Sequence, residues 1–341
     1  MALATRAGGA PGDDPPAAVV LLQHLRHVFL VQAQLQELER FEIEEAGEIR
    51  LQPCLSPVWD TTLTVNALLD AGVDDGKAPI QEALEWLLDR EISVAGDWRQ
   101  GSLQEEPGGW CFEYRNDYYP DTFIPFADHN AMIDPSTPDI TSRSIRALLA
   151  AGLDPREAPV RRAAGYLLRQ QEEDGSWPGR WGANHIYGTG LSLRALGELA
   201  SPAARDRSDA LARALRRGRS WLVRVQNGDG GWGESLRSYE DPTARGRGDS
   251  TASQTAWAML GLSAAVRARP EPRESGVARA ALDRAAAFLQ ERQREDGSWY
   301  DRWWTGVGFP GVFYLRYHGY AQYFPLAALA AYRRLRSGSR G

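Results

Sequence analysis

The chain has 341 residues, 43% of them hydrophobic and 25% charged, with a net charge of −6; that is length enough to bury a core, and no basic face to attract phosphates, so nucleic acid is excluded as a partner. Its two cysteines, Cys54 and Cys111, stand too far apart to suggest a disulfide framework or a cysteine zinc site, which fits a reducing cytoplasm. Twelve Trp, twelve Tyr and nine Phe exceed what packing a helical core calls for and point to a shaped apolar cavity.

Residues 1–16 (MALATRAGGAPGDDPP) lack an apolar stretch and read as a flexible tail rather than a signal peptide; residues 338–341 form a second tail, and 17–337 a single domain. The most apolar run, Ala17 to Val31, is broken by Gln23, His24, Arg26 and His27, so nothing spans a bilayer. Apolar periodicity predicts helices over Ala17–Phe41, Asp60–Gly72, Ala78–Ile92, Asp139–Gly152, Glu157–Gln171, His185–Leu199, Ser208–Gln226, Ser250–Val266, Glu274–Gln293 and Val312–Leu335.

A pattern of Gln, three residues, Gly, one residue, Trp occurs three times, as QEEDGSW (171–177), QNGDGGW (226–232) and QREDGSW (293–299). Each copy follows a helix with an aromatic anchor and leads through a loop to another apolar helix, so the unit is a helical hairpin. The stretch EWLLDREISVAGDW (85–98) has the same order without the Gln and reads as a degenerate copy. Gln bridges backbone groups at a helix end, Gly permits the turn and Trp packs across it. Recurrence in every unit marks these positions as scaffold, because they cannot all lie at one active site. Taken alternately, the helices make five inner and five outer members. Only a closed ring buries both faces of the inner set, so the expected fold is all-α, an α/α barrel or toroid of alternating inner and outer helices.

The Gln-Trp turns, together with LQPCLSPVWDT (51–61), PGGWCFEYRNDYYPD (107–121), PFADHNAMIDPSTPDIT (125–141), GRWGANHIYGTG (179–190), GWGESLRSYEDP (231–242), STASQTAWAMLGL (250–262) and TGVGFPGVFYLRYHGYAQYFPLAAL (305–329), resemble the squalene-hopene cyclases over nearly the whole chain from about residue 35. The match is to the carboxy-terminal, catalytic half of that family. The resemblance implies a bound squalene or similar polyisoprenoid, no cofactor, no metal, a homodimer, and peripheral contact with the cytoplasmic face of a membrane. Leu21, Leu25, Val28 and Leu35 share a face of the helix nearest to such contact, although an outer barrel helix is the favoured account of them.

In that family a carboxylic acid protonates a terminal alkene, cations pass along the folded chain, and water capture or proton loss ends the cascade. Aromatic faces steady each cation through their quadrupole, by about 1–2 kcal/mol when desolvated. By motif the resemblance makes Trp59, Phe112, Trp181, Phe309, Phe313, Tyr317 and Tyr320 substrate-facing; periodicity alone reads each as a core aromatic. Spacing puts Phe313, Tyr317 and Tyr320 on one face of a helix beginning near Phe313, with Phe309 in the preceding turn.

The acid of that family lies in a D-x-D-D-T-A motif. Here YYPDT (118–122) runs directly into FIPFADHN (123–130), so Asp121 alone of the motif remains and a helical hairpin is missing, which leaves the barrel incomplete relative to a six-plus-six ring. Asp139 matches the carboxylate that polarises the acid. Arg143 stands four residues on, where its guanidinium is expected to hold Asp139 ionised. Asp121, Asp128 and Asp134 are substitute acids. A zinc site of the protein prenyltransferase kind would draw on His129 with Asp128 and Asp134, but no cysteine accompanies them. Glycoside-processing barrels and a lipid-binding protein without the acid complete the alternatives.

Overall fold

The structure, a computed structural model, describes residues 42–45, 47–51, 56–73, 77–92, 108–112, 135–200, 208–268, 272–309 and 311–338. The chain divides into two compact units, Met1–Leu55 and Ser56–Gly341. In the first, β1 (Glu42–Glu45) pairs antiparallel with β2 (Glu48–Leu51); periodicity did not foresee this hairpin. The helix expected over Ala17–Phe41 lies outside the described residues.

The second unit is built of helices. Five of them, α1 (Pro57–Asp70), α3 (Pro138–Ala150), α5 (His185–Leu199), α7 (Ala252–Ala268) and α9 (Tyr320–Ser337), pack in succession, each against the next. Four more, α2 (Lys77–Asp89), α4 (Ala158–Arg169), α6 (Asp209–Arg224) and α8 (Pro272–Arg292), alternate with them in the chain and pack behind them. This is the inner-and-outer order of an α/α toroid.

Burial sets the middle inner helices apart from the outer ones, while α1 and α9, at the two ends of the row, keep exposed faces. In α7 every residue except Arg267 is buried, as befits a helix covered on all sides. In α6 the buried side chains Leu211, Ala214, Leu215, Trp221 and Leu222 form one stripe, with Arg213, Arg216 and Arg217 outside it. The inner helices meet almost backbone to backbone: a Cβ on Gly190 of α5 would stand 2.5 Å from the Trp257 carbonyl oxygen of α7.

The Gln-Trp turns share one geometry. The Nε1 of Trp177, Trp232 and Trp299 donates to the carbonyls of Leu167, Leu222 and Leu289 at 2.6, 2.8 and 2.8 Å, tying each ring to the outer helix before it. Nε2 of Gln171 donates to the Gly175 carbonyl and to that of Ala214 on the next outer helix, and Gln226 does the same with Gly230 and Ala281. Gly175, Gly230 and Gly297 all take positive φ. Stitches to consecutive outer helices tie the outer layer together, each hydrogen bond contributing about 1 kcal/mol net.

A fourth turn of this geometry carries Trp110, which the sequence reading did not include. Its Nε1 donates to Leu87 at 2.7 Å, and its amide donates to Thr141 Oγ1 as those of Trp177 and Trp232 donate to Thr189 and Thr255. Gly108, two residues earlier, has φ +136°. Trp98 itself lies outside the described residues. A separation of 23 residues between Leu87 and Trp110, against 10 between Leu167 and Trp177, breaks the sequence spacing while leaving the spatial relation intact.

The end of the chain brings a second correction. The helix expected from Val312 begins only at Tyr320; before it, β3 (Gly306–Phe309) and β4 (Phe313–Leu315) form an antiparallel hairpin. A spacing of four, read as helical for Phe313 and Tyr317, is also two strand periods and keeps both rings on one side of an extended chain. Glycines receive them. A Cβ on Gly308 would stand 2.5 Å from the Phe313 ring, and one on Gly306 equally close to Tyr317.

Candidate active site

Each inner helix opens toward the same aromatic assembly. Trp59 lies in the first turn of α1, Asp139 in that of α3, Tyr187 in that of α5, Tyr320 in that of α9, and Trp257 in the second turn of α7. Half-buried Phe112 stacks on Trp181 at 3.9 Å between centroids and meets Trp59 at 5.6 Å. A second group runs from Tyr187 to Trp257 at 4.8 Å, then to Tyr320 and Phe324 at 5.8 and 5.6 Å. Tyr317 stacks on Tyr320 at 4.7 Å, and Tyr323 leans on Phe324 at 4.6 Å.

Arg143 joins the two groups. Its guanidinium carbon stands 4.0 Å above the Trp59 ring, and Nη2 donates to the Tyr187 hydroxyl at 2.9 Å. The residue is 3% exposed, and Nη1 is buried with no hydrogen-bond acceptor among the described residues. The pairing expected from the sequence does not form. Asp139, fully buried, turns its oxygens to backbone amides instead, accepting from Ile140 at 3.1 Å and from Trp181 at 3.0 Å. An effective desolvation penalty of several kcal/mol falls on a buried guanidinium. Against it stand a cation–π contact of about 2 kcal/mol and one hydrogen bond to a neutral hydroxyl of about 1.5–3 kcal/mol, so no surplus is left.

The phenols around Arg143 remain protonated donors. Burial pushes Tyr187 and Tyr320 well above the usual phenol range, although the Arg143 charge pulls each down. Partial burial takes Tyr323 up to about 12 against the same pull.

A polar frame holds the loops that carry these rings. Glu234, two residues past Trp232, is buried at the start of α5: Oε2 accepts from the amides of Ile186 (2.8 Å) and Asn184 (3.3 Å), and Oε1 lies 3.2 Å from His185 Nδ1. His185 Nε2 has no partner among the described residues. Asp301, two residues past Trp299, does the same for α7, accepting from the amides of Ala252 and Ser253 at 2.7 and 3.1 Å. A carboxylate at a helix N-terminus meets both the unpaired amides and the positive end of the dipole. Tyr239 donates toward the carbonyls of Gly179 and Gly182, which fixes the loop bearing Trp181.

Of the residues singled out in the sequence, Asp139, Arg143, Trp59, Phe112, Trp181 and Tyr320 converge, with Tyr317 at the margin, 43% exposed. Phe313 is 48% exposed and packs on the β-hairpin rather than on a helix face. Phe309 closes β3. Asp121, Asp128, His129 and Asp134 lie outside the described residues. Sequence reasoning passed over Tyr187, Trp257, Tyr323 and Phe324. The first two sit in helices buried all round, where no polar face marks a direction; their presence inside quoted motifs was the one available signal.

The squalene-hopene cyclase C-terminal domain family matches residues 55–123 and 122–334, two stretches that meet where the D-x-D-D motif breaks off. The squalene–hopene cyclase of Zymomonas mobilis is 39% identical over 365 residues, covering 90% of this chain and 53% of that protein. That of Alicyclobacillus acidocaldarius is 34% identical over 387 residues, covering 96% and 59%. A dammaradiene synthase of Dryopteris crassirhizoma is 36% identical, covering 89% and 53%. Both the 365- and 387-residue alignments exceed the 341 residues of this chain, so the relatives carry positions it lacks. The chain spans a little over half the length of these relatives. With the family matched along most of its length and relatives above 30% identity, the chain belongs to the squalene-hopene cyclase C-terminal domain family.

Proposed function

We propose that this chain forms the aromatic half of a polyisoprenoid-binding cavity, taking squalene or a similar polyene as ligand, of the kind used for cation-driven triterpene cyclisation in hopanoid formation. The observation that carries this reading is the run of rings from Phe112 through Trp59, Arg143 and Tyr187 to Phe324 at the N-terminal ends of successive inner helices. π faces suit a polyene and the tertiary cation formed when a proton adds to its terminal double bond. Asp139 would orient or polarise an acid rather than act as one, since both its oxygens are engaged by amides. With only Asp121 left of the family's acid motif, the isolated chain is expected to cyclise poorly. Peripheral membrane contact, a dimer and a cytoplasmic location belong to the same proposal; among the described residues no helix is long and apolar enough to cross a membrane.

The test is incubation of the purified chain with squalene, with binding followed by tryptophan fluorescence and products by gas chromatography. Saturable binding that is weakened at least tenfold in Trp181→Ala, with slow formation of cyclic product, supports the proposal. Absence of binding by squalene and by related polyisoprenoids refutes it, and rapid formation of hopene or diplopterol refutes the expected impairment. A non-catalytic isoprenoid-binding role is the second reading, favoured by the loss of the acid pair, and binding without turnover selects it.

A further inference from the structure

Arg143 sets a buried positive charge among aromatic rings otherwise suited to a hydrocarbon. It carries a fixed positive charge, lies 3% exposed, and covers one face of Trp59 at 4.0 Å, so that face is not available to a passing cation. Its Nη2 is spent on Tyr187, while Nη1 ends buried with no acceptor among the described residues. Asp139, one helical turn away, is turned to the amides of Ile140 and Trp181. Among the described residues the buried charge is therefore left without an anion in contact.

The surroundings specify what would complete it. The Tyr187 hydroxyl accepts from Arg143 and keeps its own proton to donate. The rings of Tyr320 and Tyr323 stand in the same cluster, 5.8 Å apart, and both feel the Arg143 charge. One guanidinium with neutral hydroxyl donors, set among apolar rings, suits a planar anion of single charge at the end of a greasy chain. A diphosphate, with its higher charge, calls for further cations or a metal, and the described residues hold no group of three or more His, Cys, Asp or Glu that would bind one.

We infer that Arg143, with Tyr187 and Tyr320, forms a carboxylate-binding subsite, and that the ligand of this cavity is an isoprenoid ending in a carboxylate, anchored at α3 with its polyene tail along the aromatic run. The inference rests on the polyisoprenoid reading above and names its substrate class.

Geranylgeranoic acid, its methyl ester and squalene are the probes, titrated at pH 8 into the full chain with tryptophan fluorescence as readout. The acid is expected to bind at least tenfold more tightly than the ester. Arg143→Gln should abolish that preference, and Arg143→Lys, which keeps the charge but not the planar fork, should retain part of it. Circular dichroism checks that each variant folds; should Arg143→Gln not fold, the comparison of acid with ester in the unaltered chain decides alone. Equal affinity for acid and ester overturns the inference, as does a preference that persists in folded Arg143→Gln. Binding of squalene and ester without preference for the acid removes only the carboxylate subsite, whereas failure of all three probes to bind removes the polyisoprenoid reading with it.

Discussion

Glu234 offers a sharp test of how the site is held. Replacing it with Ala removes the acceptor for the amides of Asn184 and Ile186 and the partner of His185 Nδ1, all three buried at the start of α5. Hydrogen bonds to a charged group contribute about 1.5–3 kcal/mol each. Relief of the buried carboxylate's own desolvation offsets part of the loss, so a net destabilisation of about 3 kcal/mol is expected. That is a large share of the roughly 5–15 kcal/mol by which domains are stable. Glu234→Gln keeps one acceptor oxygen but turns an NH2 toward donors, and should fall near half that value. Urea unfolding followed at 222 nm reads the difference, with the order unaltered chain, Gln, Ala and a midpoint shift for Ala of about 1 M or more. If Ala unfolds within about 0.5 kcal/mol of the unaltered chain, as an ordinary surface change does, the carboxylate is not what fixes the α5 terminus and the account of the frame is wrong.

Further outcomes follow from the same geometry. Gly175→Ala forces a side chain into φ +98° with its Cβ 2.7 Å from the Arg217 carbonyl oxygen, whereas Gly228 has open space; melting experiments should show a loss of about 1–3 kcal/mol for the first and under about 0.5 kcal/mol for Gly228→Ala. Trp110→Phe deletes the Nε1 bond to Leu87 and Trp232→Phe deletes that to Leu222. The second leaves a buried carbonyl without that donor and should cost about 1–3 kcal/mol, whereas the Leu87 carbonyl still accepts from the Arg90 amide at 3.1 Å, so the first should cost about 0.5–1.5 kcal/mol; a neutral Trp110→Phe would remove it from the repeat. Two carboxyls predict opposite pH slopes. Burial raises Asp301 above the ordinary 3.8 despite bonds from Ser253 and Ala252. The folded state thus binds the extra proton, and stability falls as pH rises through the window above 3.8. Asp174 goes the other way, since bonds from Ser176 and Trp221 outweigh the effect of burial and lower it; its contribution is complete above 3.8 and is lost as pH falls below it. Stability measured from pH 2 to 7 should lose the first slope in Asp301→Asn and the second in Asp174→Asn, and retention of either slope in its variant refutes that assignment.

Legibility of the fold followed how local each signal was. The Gln, Gly and Trp of each turn bond within a few residues or to the adjacent outer helix, so their spacing survives as a string and reports the hairpin unit. Apolar periodicity located the helices because α3, α5 and α7 are buried nearly all round, whereas the outer helix α6 is buried on one stripe and the first and last inner helices keep exposed faces. Where the chain departs from fixed spacing, the string misleads. The 23-residue separation of Leu87 and Trp110, against 10 in the other turns, hides the fourth turn, and the four-residue interval between Phe313 and Tyr317 serves helix and extended chain alike; Gly306 and Gly308, which receive those rings, settled it as extended.

What the sequence determined by itself was the repeat, the helical class, and the family that its ordered motifs resemble. Only tertiary structure decided what the charged groups do, because a charge responds to neighbours brought from distant parts of the chain. Glu234 is claimed by an N-terminus 50 residues upstream. Four residues apart on one helix, Asp139 and Arg143 satisfy the sequence rule for an ion pair, yet the carboxylate finds the Trp181 amide and the guanidinium finds Trp59 and Tyr187. Helical spacing sets which groups come within reach; competition among packed partners sets which contact is made.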